Sequence, residues 1–156
     1  MAEALVGTPR APRGFHGAKV DTAGRLKLPA KYVEWLDKLE DKSLYVTVVR
    51  GMARIYTNGS WERNLEKLNS SRNLKREMSF MSDVFGGDVE KDPQGRITLP
   101  KTLRDLLMLE DQQVQLRFDD DMIFVFPQEK FEEQLKLYQA TYESDLDRAE
   151  QMGFEC

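Results

Sequence analysis

The sequence predicts an α+β fold in which one small β-rich unit occurs twice, with helices at the edges of the shared β-structure. Three observations carry this. A nine-residue motif recurs 71 positions downstream, as Asp21-Thr22-Ala23-Gly24-Arg25-Leu26-Lys27-Leu28-Pro29 and Asp92-Pro93-Gln94-Gly95-Arg96-Ile97-Thr98-Leu99-Pro100. The same order of strand and helix patterns follows each copy. A unit of roughly 60 residues is marginal by itself, so two copies are expected to share one core, either side by side or with interlocked strands.

The two motifs read D-x-x-G-R-L-x-L-P and D-x-x-G-R-I-x-L-P. Beyond them the offset slips to 70, as one residue lost in a connecting loop requires. Asp41 then matches Asp111, Val46 matches Leu116, Tyr56 matches Phe126 and Trp61 matches Phe131.

Each copy opens on the D-x-x-G-R turn, where Gly24 or Gly95 can take positive φ and the Asp can accept backbone N–H bonds. A short alternating strand follows, with Arg25 and Lys27 on one side and Leu26 and Leu28 on the other. Proline then opens a helix. Its apolar positions are Tyr32, Val33, Trp35, Leu36 and Leu39 in the first copy, and Leu103, Leu106, Leu107 and Leu109 in the second. Two β-rich runs come next: Leu44–Val49 and Arg54–Thr57 around Arg50-Gly51, and Val114–Phe118 and Met122–Phe126 around 119–121. Each pair reads as a hairpin. A closing helix carries Trp61, Leu65 and Leu68, or Phe131, Leu135, Tyr138, Tyr142 and Leu146. Between the copies, Leu74, Met78, Met81 and Phe85 recur at helical spacing and predict a packed helical connector. The expected organisation is a flexible tail over 1–12, a first repeat over 13–72, a connector over 73–86, a second repeat with its C-terminal helix over 87–151, and a tail over 152–156.

Composition narrows the function classes. The chain of 156 residues has one cysteine, Cys156, and one histidine, His16, which leaves no basis for a disulfide framework, a Cys/His metal site or a histidine-based triad. No apolar run approaches the roughly 20 residues that span a bilayer, and the N-terminus lacks the apolar stretch of a secretory signal. A cytoplasmic location is expected. The net charge is −4, but it is unevenly spread: residues 1–32 carry +4 and residues 129–156 carry −5. A basic patch on an acidic body is the reading, multiplied if the chain assembles. No paired carboxylates, nucleophile–base set or phosphate-binding glycine loop points to an enzyme.

Other features have plainer readings. Asp119-Asp120-Asp121 could hold a cation, but reads as a solvated hairpin turn, because Val49-Arg50-Gly51 in the first copy has no carboxylates. His16 reads as a partly exposed strand residue, and Trp35, Trp61 and Phe131 as core or interface positions. Cys156 reads as incidental, and the acidic run from Glu143 to Glu155 as a solvated helix face.

The repeated turn is the feature that suggests binding. A guanidinium held at the rim of a strand suits phosphate oxygens or the N7/O6 edge of guanine. The doubled D-x-x-G-R-[LI]-x-L-P pattern, its spacing, the intervening hairpins and Arg13-Gly14 ahead of Asp21 resemble the MraZ family of bacterial transcription regulators, over about residues 13–146. That resemblance implies a duplicated swapped-hairpin small β-barrel pseudo-dimer of the AbrB/SpoVT kind with flanking helices. It implies a repressor that binds direct repeats of double-stranded DNA at the promoter of the division and cell-wall gene cluster. It also implies a homo-oligomeric ring, association with the nucleoid, and no cofactor, membrane or small-molecule substrate. Carried over, Arg25 and Arg96 would contact DNA, with Lys19, Lys27 and Lys91 beside them, while Asp21, Gly24, Asp92 and Gly95 would structure the loops. Family members commonly carry Lys where this chain has Ala23, which removes one phosphate contact. The alternative is an antitoxin-like or other protein-interaction module on the same fold. Such antitoxins usually carry one copy and a disordered inhibitory tail, whereas this chain has two copies and a C-terminus that reads as helical.

Overall fold

The structure is a computed structural model that describes residues 10–119 and 122–156. Strands β1 (Gly14–Val20), β2 (Arg25–Lys27), β3 (Leu44–Val49) and β4 (Met52–Thr57) belong to the first copy. Strands β5 (Gly87–Val89), β6 (Arg96–Thr98), β7 (Gln112–Asp119) and β8 (Met122–Pro127) belong to the second. The helices are α1 (Ala30–Asp37), α2 (Asn58–Glu66), α3 (Arg72–Phe85), α4 (Lys101–Leu107) and α5 (Gln128–Gln151).

All eight strands join one antiparallel sheet in the order β5-β3-β4-β8-β7-β1-β2-β6, which curls into a nearly closed barrel. The copies are interlocked. Strand β1 pairs along its whole length with β7 of the other copy, from Gly14 opposite Phe118 to Val20 opposite Gln112. Strand β5 reciprocates on β3 of the first copy, and β4 meets β8 at the centre. The expected α+β swapped-hairpin pseudo-dimer is the observed architecture, and the interlocked arrangement is the one adopted.

The core follows from the alternation. Leu26, Leu28, Val46, Ile55, Ile97, Leu99, Leu116, Ile123 and Val125 turn inward and are almost fully buried. Helix α1 closes one end with Tyr32, Trp35 and Leu36, and the Tyr32 ring stacks on Phe118 of the other copy at 5.0 Å. At roughly 25 cal/mol per Å² of apolar surface, this single shared cluster is what neither copy could build alone.

Several local expectations are corrected. Strand β4 begins at Met52, not Arg54, because Arg50 (φ 50°) and Gly51 (φ 79°) both adopt the left-handed conformation of a two-residue turn. Helix α4 ends at Leu107, because Met108 turns left-handed at φ 53°, so buried Leu109 lies past the helix. Leu39 likewise falls after α1. Pro29 and Pro100 stand one position before their helices, with their fixed φ supplying the entry.

The connector is helical, but it does not pack through the apolar positions expected of it. Leu74, Met78 and Met81 are exposed, and Phe85 is only half-buried. Helix α3 is instead tied to β3 by polar contacts: the Tyr45 hydroxyl donates to Asp83 at 2.5 Å, and the buried Thr47 hydroxyl donates to the Ser82 carbonyl at 2.7 Å. Burial, reinforced by the Asp83 carboxylate, pushes the Tyr45 phenol far above its ordinary range. Gly86 then lets the chain pass beside β3, where a Cβ would stand 2.1 Å from the Val46 carbonyl oxygen.

Candidate nucleic-acid interface

The two motif copies are brought together by one antiparallel ribbon. Strands β2 and β6 pair with Arg25 opposite Thr98, Leu26 opposite Ile97 and Lys27 opposite Arg96. Leu26 and Ile97 face the core. Residues directly opposite one another share a face, so Arg25, Lys27, Arg96 and Thr98 all stand on the outward side. Arg25 and Arg96 are diagonal neighbours on that face, with Cβ atoms about 7–8 Å apart in standard geometry. The ribbon extends beyond the strands, because Leu28 N–H donates to the Gly95 carbonyl and Leu99 N–H to the Gly24 carbonyl, each at 2.9 Å. Each loop is thus anchored on the strand that follows the other.

Within each loop a carboxylate organises the turn. Asp21 Oδ1 accepts from the N–H groups of Ala23 at 3.0 Å and Arg25 at 2.8 Å. Its Oδ2 accepts from Arg25 Nε at 2.8 Å. Asp92 repeats the pattern with Gln94 N–H, Arg96 N–H and Arg96 Nε, all at 2.9 Å. Gly24 and Gly95 adopt φ of +80° and +81°, which the tight turn requires. The backbone N–H of the arginine is the main reason each carboxyl is held below its ordinary range. The ion pair engages the guanidinium through Nε, so the other edge of the fork, formed by the two Nη groups, is the one suited to a planar acceptor. The Arg25 side chain is 43% exposed and that of Arg96 33%.

The lysines divide. Lys27 stands on the ribbon face, exposed and directly opposite Arg96. Lys19 forms an ion pair with Asp111 at 2.9 Å, and Lys91 lies 3.7 Å from Asp37, so both already have carboxylate partners. His16 is half-buried against the Phe118 ring at 5.1 Å. Trp35 is in the core, and Trp61 stacks on Tyr45 at 4.4 Å. The cation-site reading of Asp119–Asp121 falls on residues 120 and 121, which lie outside the described residues, as do residues 1–9 of the flexible tail expected over 1–12; of the rest of that tail, Ala11 is buried in the core cluster.

Arg104 is a residue that the sequence reading overlooked. It occupies the helix position that Val33 holds in the first copy. Its Nε donates to the Leu99 carbonyl at 2.9 Å, and its Nη1 pairs with Glu110 at 2.8 Å. A Cβ on Gly24 would meet its side chain at 2.4 Å, whereas a Cβ on Gly95 would meet Val33 at 3.3 Å. Each loop therefore rests on a helix residue of the other copy, and only the first rests on an arginine. The 71-residue register was the available signal, since it aligns Arg104 with an apolar core position.

Comparison with known proteins agrees with this architecture. Residues 87–152 match the family described as "MraZ protein, putative antitoxin-like". The chain is 38% identical over 98 residues to a protein of Koribacter versatilis named Transcriptional regulator MraZ, covering 60% of this chain and 67% of that one. A protein of the same name from Acidobacterium capsulatum is 36% identical over 60% of this chain and 66% of its own length. A third, from a Marinomonas species, is 30% identical over 131 residues, 81% of this chain and 86% of that protein. With both motif copies on one ribbon of an interlocked barrel, and with relatives matched over most of their length, the chain belongs to the MraZ family of transcriptional regulators.

Proposed function

We propose that this chain is a sequence-specific DNA-binding repressor that acts on the promoter of the division and cell-wall gene cluster, with the D-x-x-G-R loops as its contact surface. One observation carries the reading: two arginines, each pinned by its own aspartate, share the outward face of the β2–β6 ribbon with Lys27. A two-stranded ribbon fits the major groove, and a guanidinium fixed in advance loses little freedom on pairing with guanine N7/O6 or with phosphate. Arg25, Arg96 and Lys27 are the direct contacts in this reading. Lys19 and Lys91 supply longer-range positive charge, because each already holds a carboxylate.

The acidic body requires assembly. A subunit that offers three cations on its binding face gains little from counterion release alone, whereas a homo-oligomeric ring sums such faces along DNA repeats. Exposed Leu135, Leu137, Tyr138 and Tyr142 on α5 support contacts between subunits beyond a dimer. Binding to the DNA upstream of the chain's own gene, measured by gel shift at several salt concentrations, tests the function. Wild type is expected to form a discrete, salt-sensitive complex that the Arg25→Ala/Arg96→Ala double variant loses. Equal binding by both would make the loops structural and defeat the reading.

A further inference from the structure

We propose that a groove on the outer face of the barrel receives the C-terminal end of α5 from a second copy of this chain, seated through Phe154 and Glu155. This rests on the assembly proposed above and names its contact. Across β4, β8, β7 and β1, directly opposed residues form one outward row: Arg54, Phe124, Arg117 and Phe15. The Arg54 guanidinium lies 4.6 Å from the Phe124 ring centre, and that of Arg117 lies 5.9 Å from the same centre. The first turns of α5 wall this row with Phe131 and Tyr138, enclosing about 490 Å³. Among the described residues, no carboxylate lines the groove. Arg54 Nε is nevertheless buried without a hydrogen-bond partner. The same guanidinium meets the Tyr56 hydroxyl, and together with Arg117 it gives the groove a cationic floor.

An acidic and aromatic surface that complements this cationic, aromatic groove is present elsewhere on the same chain. Helix α5 has 24 residues, a length of about 36 Å. Beyond the turns that wall the groove it leaves Tyr142 exposed. The helix ends in an ordered stop: Gly153 turns left-handed at φ +98°, and Phe154 N–H donates back to the Ala149 carbonyl at 3.0 Å. The tip therefore presents an aromatic ring, 57% exposed, beside Glu155 and one turn from Glu150. Carboxylates at a helix C-terminus also oppose the helix dipole, so this end favours a cationic partner. One contact joins an aromatic ring to an aromatic groove and carboxylates to two guanidinium groups. It sets the acidic helix end against the paired cations of Arg54 and Arg117. Because groove and tip are different surfaces, the contact is heterologous, and its repetition generates a ring or a filament.

The chain's single cysteine, Cys156, lies two residues from Phe154 and permits a direct test. In Gln134→Cys, which places a thiol on the groove wall, mild oxidation or a short bis-maleimide is expected to produce a covalent ladder beyond the dimer. Neither the wild type nor Gln134→Cys/Cys156→Ser should form that ladder. Arg54→Glu should raise the dissociation concentration at least tenfold by light scattering, and Glu150→Arg/Glu155→Arg should restore assembly. Phe154→Ala, on the exposed tip, gives the same reading if Arg54→Glu does not fold. Multimers that persist with no link between positions 134 and 156 would give the groove a different occupant and overturn this proposal while leaving the assembly intact. A chain that stays monomeric throughout would defeat the assembly reading and this proposal with it.

Discussion

Asp21 and Asp92 each hold three donors with two oxygens, and their charge is part of the fold. Both carboxyls titrate below the ordinary 3.8, chiefly because an arginine backbone N–H donates to the ionised form. In that range the unfolded chain binds more protons than the folded one, so stability rises with pH. The contribution is complete above 3.8 and disappears as pH falls through the lowered folded values. Asp21→Asn/Asp92→Asn is therefore expected to flatten the acid limb of a stability-versus-pH curve followed by circular dichroism. The two glycines should differ. Alanine at either position meets positive φ, a strain of about 1–3 kcal/mol. Gly24→Ala must also displace Arg104 from the Leu99 carbonyl and Glu110, whereas Gly95→Ala only crowds a Val33 methyl group. Urea denaturation should show Gly24→Ala as the more damaging of the two.

At the scale of elements, the β2–β6 ribbon distributes its charge unequally. The side containing Arg25 and Lys27 is more exposed and more positive than the side containing Arg96 and Thr98. Arg25→Ala is thus expected to weaken DNA binding more than Arg96→Ala, each by about 1–3 kcal/mol per engaged site if the guanidinium reads a base. Fluorescence anisotropy with a labelled promoter fragment ranks them; the reverse order would mean that exposure does not decide engagement. The elements themselves were largely legible in the sequence, because alternation fixes which face of a strand is buried and the motif repeats its own turn chemistry. Leu26, Leu28, Ile97 and Leu99 turn inward as the pattern requires. Partner choice between strands was not legible. Nothing in Gly14–Val20 alone says that it pairs with β7 rather than β3, since either pairing satisfies the same alternation. The swap entered through family resemblance. The face of α3 was misjudged for a related reason: its apolar spacing is genuine, but Tyr45–Asp83 and Thr47–Ser82 dock the helix by a different side. Long-range polar contacts leave no periodic trace, and neither does the seating of Arg104 under the opposite loop.

At the scale of the whole molecule, the proposed function requires a protein of net charge −4 to hold a polyanion with a few well-placed cations. Where the family commonly has Lys before the first glycine, Ala23 supplies none, so each subunit engages few phosphates and one alone should bind poorly. In the proposed ring, once one ribbon is seated the next would encounter its repeat at high effective concentration, and the phosphate contacts of successive subunits would add. Affinity should then fall steeply with salt, with a slope that reflects the summed contacts rather than one subunit's. On that proposal the spacing of the repeats would be as important as their sequence, because a ring would offer its ribbons at a fixed interval. Deleting half the repeats, or inserting about five base pairs between them to turn the second onto the opposite side of the helix, should abolish tight binding while circular dichroism stays unchanged. A single repeat bound as tightly as the full promoter, with the same salt slope, would show that one subunit suffices and would defeat the avidity argument.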